Sequence, residues 1–402
     1  MTKQTLIIIG ISVGVIIIGL TLFFLFNDTG ADSDTSEEKG FFSFIFPGSD
    51  DKEPTSTFFP STNGTLAEER VSAATTGQPT RNLIQLTEVP VIGVVYNENS
   101  KKVQYFEKST GNLYEIDPQG TNKKRITNTT IQRIFDALWS KDASKTIIRY
   151  IDTDSKNVDL IRTFLVFSLA TSSTEGIFLP TNTVVSVLSP IENKIFYLSG
   201  EETLTGTLAT DENKNKQNIF FSPFSSFVLG WPQKNIITFS SKPSYLVDGS
   251  FYKLDPVTKS FTKIIGGIKG LSALYSPINN DFIYSESEKQ TIITKIYKDE
   301  KEIHSTLGIQ TLPEKCIFSK LDENKIYCAT PRYLYSANYP DDWYQGLFFF
   351  SDTITEINTN NGTADIILDQ EDLDIINLVI NKEETYLFFQ NKKDSTLWSL
   401  KI

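Results

Sequence analysis

Residues 137–151 read ALWSKDASKTIIRYI. An apolar stretch, Ala137-Leu138-Trp139, ends on Ser140. Polar residues follow as far as Lys145, and a second apolar stretch runs from Ile147 to Ile151. Two β-branched and aromatic runs separated by a short polar segment read as a hairpin. One hairpin says little about a fold, but this one recurs. It returns as GVVYNENSKKVQYFE (93–107), SVLSPIENKIFYLSG (186–200), VLGWPQKNIITFSS (228–241), ALYSPINNDFIYSES (273–287), CIFSKLDENKIYCAT (316–330) and LVINKEETYLFFQ (378–390).

Aligned on Asn97, Ser140, Ser189, Trp231, Ser276, Ser319 and Asn381, the units step by about 40–50 residues, with one longer step before the last. That period, with four strands to a unit, is the signature of a β-propeller. Further strands fill each unit. Leu113–Asp117, the turn Pro118-Gln119-Gly120 and Lys124–Ile126 read as strand, turn, strand; Phe251–Asp255, Pro256-Val257-Thr258 and Phe261–Ile264 repeat the scheme. Proline sets φ for the first corner of such a turn. The last unit stops at strand Thr396–Leu400 and lacks a fourth strand, whereas Asn82–Thr87 is a strand without a blade. Pairing the surplus strand with the incomplete blade would close the ring and leave no open gap. The predicted fold is therefore all-β, a seven-bladed propeller over residues 82–402; six or eight blades would follow from one miscounted degenerate unit.

The repeat, for example Leu138-Trp139-Ser140-Lys141-Asp142 and Leu274-Tyr275-Ser276-Pro277, resembles bacterial propellers of the TolB-like and WD-repeat-like type. The resemblance covers about residues 82–402 and is architectural. It implies an interaction platform and names no ligand. Neither the WD dipeptide nor the sialidase Asp-box occurs.

Ahead of the repeats, Thr5 to Phe26 reads TLIIIGISVGVIIIGLTLFFLF and carries no charge. A bilayer core needs roughly 20 apolar residues. A cleaved signal would have a shorter apolar core and a small-residue cleavage site. Here the run ends in Phe23-Phe24-Leu25-Phe26, so a retained transmembrane helix over 5–26 is expected. Lys3 precedes it, while Asp28, Asp32, Asp34, Glu37 and Glu38 follow. The positive-inside rule then puts residues 1–4 in the cytoplasm and the propeller outside it. Gly10-Ile11-Ser12-Val13-Gly14 fails as a nucleophile elbow, which needs a strand-turn-helix, and small residues are common in membrane helices. Residues 27–81 are rich in Asp, Glu, Ser, Thr, Gly and Pro and read as a flexible acidic linker. It contains one apolar patch, Phe41 to Phe46.

The chain has 402 residues and a net charge of −11. Nucleic-acid binding needs clustered Lys and Arg, so that class is excluded. His304 is the only histidine and falls in a predicted outer strand of the fifth blade, away from any catalytic set. The carboxylate pairs Asp152/Asp154, Glu201/Glu202 and Asp341/Asp342 are close in sequence, as solvated turns are. Asp152, Asp154, Asn157 and Asp159 could offer oxygen ligands to calcium but lack the EF-hand order and glycine. No metal or other cofactor is expected, and no catalytic constellation is recognisable. Cys316 and Cys328 flank one hairpin. A turn centred on Asp322 would oppose them at bridging distance; a slip of one residue would set Cys316 against Ala329 and leave two thiols.

Between the second and third strands of the sixth unit lies the longest interruption, from Pro331 to Gly346. Such loops open on the same side as the connections between blades, and the inserts 152–159, 201–216 and 242–250 are placed with it. Long loops on rigid scaffolds often carry function, and Trp and Tyr are favoured interface anchors. Tyr339, Asp341, Asp342, Trp343 and Tyr344 are thus the candidate binding residues, unless the aromatics fold back and cap their own blade. The chain reads as a membrane-anchored, extracytoplasmic, noncatalytic module binding an envelope protein or glycan polymer. The alternative is an envelope glycan-active enzyme using loop carboxylates such as Asp341 and Asp342.

Overall fold

The computed structural model describes residues 83–169, 174–370 and 372–402. The expected tail (1–4), transmembrane helix (5–26) and acidic linker (27–81) lie outside the described residues. Among the described residues, no helix is long and apolar enough to cross a membrane.

Strand β1 (Leu83–Gln85) opens the described chain. Blade one holds β2 (Val91–Asn97), β3 (Lys102–Glu107), β4 (Leu113–Ile116) and β5 (Lys124–Arg125). Blade two holds β6 (Ile134–Trp139), β7 (Thr146–Thr153), β8 (Asp159–Leu169) and β9 (Thr174–Phe178). Blade three holds β10 (Thr183–Leu188), β11 (Lys194–Ser199), β12 (Leu204–Thr210) and β13 (Gln217–Ser222). Blade four holds β14 (Val228–Gln233), β15 (Ile236–Ser240), β16 (Asp248–Leu254) and β17 (Phe261–Lys269). Blade five holds β18 (Ala273–Tyr275), β19 (Phe282–Glu288), β20 (Thr291–Lys298) and β21 (Ile303–Thr306). Blade six holds β22 (Cys316–Phe318), β23 (Lys325–Pro331), β24 (Asp352–Asn358) and β25 (Ala364–Leu368). Blade seven holds β26 (Ile375–Ile380), β27 (Tyr386–Asn391) and β28 (Leu397–Lys401), and β1 is its fourth strand. Every sheet is antiparallel, and neighbours follow chain order except in blade seven, where β1 lies beside β28. The described residues form an all-β, seven-bladed β-propeller.

The first strands of neighbouring blades touch one another, β2 with both β6 and β26. They line the centre of the ring. Second strands sit between blades and are covered on both faces. Their sequences accordingly bury consecutive residues rather than alternate ones, as in Val103–Phe106, Ile195–Leu198 and Ile326–Ala329. Among the described residues one apolar cluster fills each inter-blade interface. Phe196, Phe220, Trp231 and Phe239 fill that between blades three and four; Tyr96, Val103, Phe388 and Leu397 fill that between seven and one. Two of the fourth strands, β5 and β21, are short. Both are exposed throughout, which discourages edge-to-edge pairing.

The residues that align the repeats have one structural job. In the turn after each first strand, a Ser or Asn side-chain oxygen accepts backbone N–H groups two to five residues on. Asn97 Oδ1 accepts from Asn99 and Ser100, Ser189 Oγ from Glu192, and Ser276 Oγ from Ile278 and Asn279. Ser319 Oγ accepts from Leu321 and Asp322, and Asn381 Oδ1 from Thr385 and Tyr386. These oxygens stand in for water at a tight turn. Trp231 is the exception because blade four turns directly from Gln233 to its partner Ile236.

β1 pairs with β28 in register Leu83↔Leu400 and Gln85↔Trp398. Beyond the strand, the Leu86 N–H donates to the Leu397 carbonyl at 2.7 Å, and Thr87 Oγ1 accepts the Leu397 N–H at 3.0 Å. The two ends of the described chain are thereby knitted into one sheet. One reading of the loops needs correction. Residues 201–216 are not a single insert: Leu204–Thr210 is strand β12, so 201–203 and 211–216 open on opposite faces. The polar flanks Glu201-Glu202 and Asp211–Lys216 enclose a strand of which five of seven residues are buried.

Candidate functional site

Connections alternate between the two faces of an antiparallel blade. The link from each blade to the next and the turn from second to third strand therefore share a face. On that face, residues 332–351 leave β23 and return in β24. They enclose one helical turn, α1 (Asp341–Tyr344).

The loop does not stay over its own blade. Asp341 accepts from Ser244 Oγ at 3.1 Å and from the Tyr245 N–H at 2.7 Å, both in blade four. The Ala337 N–H donates to the Gln290 carbonyl in blade five. Tyr344 donates its hydroxyl proton to Glu314 at 2.7 Å, in the link between blades five and six. Trp343 Nε1 donates to Asp374 at 2.8 Å, in the link between blades six and seven. Segment 332–351 is thus tied to four blades.

The candidate residues divide. Tyr339 and Trp343 are buried, at 1% and 3% exposure. They pack with Ile292, Leu312 and Phe350, and Phe350 stacks on Tyr339 and on Trp343. Asp342 accepts the Asn338 N–H at 2.8 Å and so closes its own turn. Both oxygens of Asp341 are engaged as above. Tyr344 keeps 42% of its surface, although its hydroxyl is held. The accessible apolar groups are others of the same loop: Tyr333, Tyr335, Leu347 and Phe349. Leu246 and Val247 add to them next to Tyr245. The Tyr-rich composition marked the segment, but a run of aromatics does not by itself separate anchors from exposed groups.

Beneath Trp343 lies an ionic cluster that sequence reading missed. Lys315 Nζ is 2.6 Å from Asp374 and 2.9 Å from Asp352, and all three side chains are fully buried. The Asp374 carboxylate also accepts the N–H of Phe350, and Asp352 accepts that of Ile375 at 2.6 Å. Lys315 stands 4.8 Å from the Trp343 ring centre and 4.9 Å from that of Phe350. Lys392 lies over Trp343 at 4.2 Å and donates to its carbonyl oxygen. Burial is the largest influence on the titration of Asp352. It pushes the Asp352 carboxyl up to about 6 against the opposing pull of Lys315. It also raises Glu314 and Tyr344 and lowers Lys392. The signal available in sequence was a charge abutting an apolar strand, as in Lys315 before Cys316-Ile317-Phe318 and Asp374 before Ile375-Ile376.

Cys316 and Cys328 are directly opposed in the β22–β23 register and form a disulfide. His304 lies on β21, its Nδ1 3.0 Å from the Tyr284 hydroxyl. The oxygens weighed for calcium are taken up locally. Asp159 pairs with Arg133, Asp152 with Arg162, and Asp154 accepts the N–H groups of Lys156 and Val158. Among the described residues, no group of three or more His, Cys, Asp or Glu side chains is placed to hold a metal ion.

Neither a protein-family model nor a curated relative matches the sequence. Solved propellers are similar in structure. Oligogalacturonate lyase from Vibrio parahaemolyticus superposes with a TM-score of 0.55 at 11% identity, over 81% of this chain and 97% of that one. An oligogalacturonate lyase in complex with manganese gives 0.55 at 11%, over 80% and 93%. The Swd1 β-propeller domain of Myceliophteria thermophila gives 0.51 at 8%, over 80% and 100%. At such identities the likeness bears on the fold alone, a seven-bladed propeller with WD40-type examples among its neighbours.

Proposed function

We propose that the chain is a binding module whose loop-bearing face over blades four to seven docks an extracytoplasmic protein. Residues 5–26 would tether it to the membrane, and 27–81 would give it reach. The observation that carries the reading is the contrast within one loop. Tyr339 and Trp343 anchor it, and Tyr333, Tyr335, Leu347 and Phe349 are left outside on the rigid base so formed. An exposed apolar set on a rigid support suits association, since little ordering entropy is lost on docking. The aliphatic members and bare phenyl ring favour a protein surface over a sugar polymer, which would ask for hydrogen bonds around its aromatic contacts. The TolB-like affinity of the repeat belongs to the same proposal. For the enzymatic alternative, Asp341 and Asp342 would have to face a substrate, and both accept hydrogen bonds from the protein itself.

The test is photo-crosslinking in cells producing the full chain, with a photoreactive residue at Tyr335 or Leu347 and a control at Lys259 on the other face. A discrete adduct of defined mass from the first two positions and none from the control is expected. No adduct, or the same adducts from all three, would overturn the assignment.

A further inference from the structure

The opposite face carries a separate feature at the seam where blade seven meets blade one. A cleft of about 450 Å³ opens between the turn after β2, the turn after β4 and the turn after β26. It is shallow and largely open to solvent. From blade one come Tyr96, Lys101 and Gln119; from blade seven come Glu383 and Tyr386. We propose that this cleft binds a neutral saccharide unit. The site is independent of the docking face described above.

The polar groups argue for this class. Tyr96 is only 8% exposed, lines the cleft, and its hydroxyl makes no hydrogen bond to any described residue. That hydroxyl is itself reachable by solvent, so it is free to pair with a ligand in the cleft. Gln119 Nε2 donates to the Tyr386 hydroxyl at 2.7 Å, so that hydroxyl keeps its own proton to give. Two tyrosines of one cleft thus offer hydroxyls as donors and acceptors to a ligand rich in hydroxyl groups. The two rings flank Phe388, which stacks on Tyr96 at 5.4 Å and on Tyr386 at 6.1 Å, so both are fixed before a ligand arrives.

Charge decides between neutral and ionic ligands. Lys101 is the cation of the cleft, and it is already paired with Glu383 at 2.9 Å and Glu98 at 3.5 Å. With Asp117 also present, the lining sums to a negative charge and offers an anion no free counter-charge. Pro118 is the one apolar group besides the two tyrosines, so a hydrocarbon ligand has little to cover. The carboxylates are likewise engaged, Glu383 by Lys101 and Asp117 by Thr121 and Asn122, so a cation finds no free partner either, and the class that remains is hydroxyl-bearing, uncharged and of sugar size.

The experiment titrates the purified full chain with maltose, cellobiose, chitobiose and mannobiose, and with digalacturonate as the anionic comparison. Binding is read by calorimetry and ligand-observed NMR. Saturable binding of at least one neutral disaccharide is expected. Tyr96→Phe, which keeps the ring stack, and Gln119→Ala, on the surface, should each weaken it about tenfold, the loss of one hydrogen bond. Their thermal unfolding should match the parent's, and Lys156→Ser, in the exposed β7–β8 turn of the other face, should bind as the parent does. No neutral disaccharide binding, binding of digalacturonate alone, or unchanged affinity in both cleft variants would each overturn the proposal.

Discussion

Replacing Lys315 by Met tests the buried cluster that holds the loop. Methionine fills nearly the same space and removes the charge. In the parent, one ammonium lies 2.6 Å and 2.9 Å from two carboxylates, all without solvent contact. Breaking a buried ion pair from one side costs about 3–5 kcal/mol, because the remaining charge has neither water nor counter-ion. For about 320 folded residues the unfolding entropy is about 0.67 kcal/mol per kelvin. The Tm of the full chain at pH 7 should therefore fall by about 5–8 °C. The deficit must also depend on pH. Asp352 titrates at about 6 in the folded protein, above its ordinary value of 3.8. A raised carboxyl favours folding below its unfolded value, and that contribution is lost as pH rises through the folded one. In Lys315→Met the opposing pull of the ammonium is gone, so Asp352 holds its proton to still higher pH. The variant should then recover stability relative to the parent between pH 7 and pH 5, as its carboxyl becomes neutral. Calorimetric melts of both proteins at pH 5, 6 and 7 measure this. A Tm within 1–2 °C of the parent at pH 7, or a deficit that does not shrink on acidification, would refute the reasoning.

Two further perturbations address the ring. Cys316 and Cys328 close a loop of sequence separation 12 and are 7% and 0% exposed; Cys316→Ala with Cys328→Ala should cost about 2–4 kcal/mol, read as a lower melting temperature, and equal melting of the two proteins would show that strand pairing alone holds this hairpin. At the seam, Thr87→Val removes the acceptor for the Leu397 N–H, and with Thr87 only 4% exposed the orphaned donor should cost about 1–3 kcal/mol; an unchanged melt would put the strength of closure in the β1–β28 ladder instead.

The repeat was legible because one physical need recurs in each unit. A first-to-second-strand turn must satisfy its own N–H groups, and a Ser or Asn oxygen at a fixed position does so. That is why Ser189, Ser276 and Ser319 align without any family motif. The second strands were legible for a different reason. Being covered on both faces, they spell runs of consecutive buried residues, apolar except for Gln104 in β3, that no exposed strand would carry. Leu204–Thr210 was harder to read because its Thr and Gly residues serve a partly covered third strand. Gly206 in particular is required by packing, since a Cβ there would stand 2.7 Å from the Phe196 ring and from Phe220.

Sites are less legible than strands because burial of charge is a tertiary event. Lys315, Asp352 and Asp374 are separated by tens of residues and meet only when blade six docks on blade seven. No periodicity announces such a meeting. The aromatic loop was visible, yet which of its rings point inward depends on that same cluster, because Trp343 is drawn down by Asp374 and flanked by Lys315 and Lys392. The consequence reaches the proposed docking face. If the cluster positions the loop, Lys315→Met should weaken crosslinking from Tyr335 without touching any exposed residue. A loss of crosslinking in step with the loss of stability would follow from partial unfolding. A loss at temperatures well below the melt would instead come from a loop that has left its place over blades four to seven.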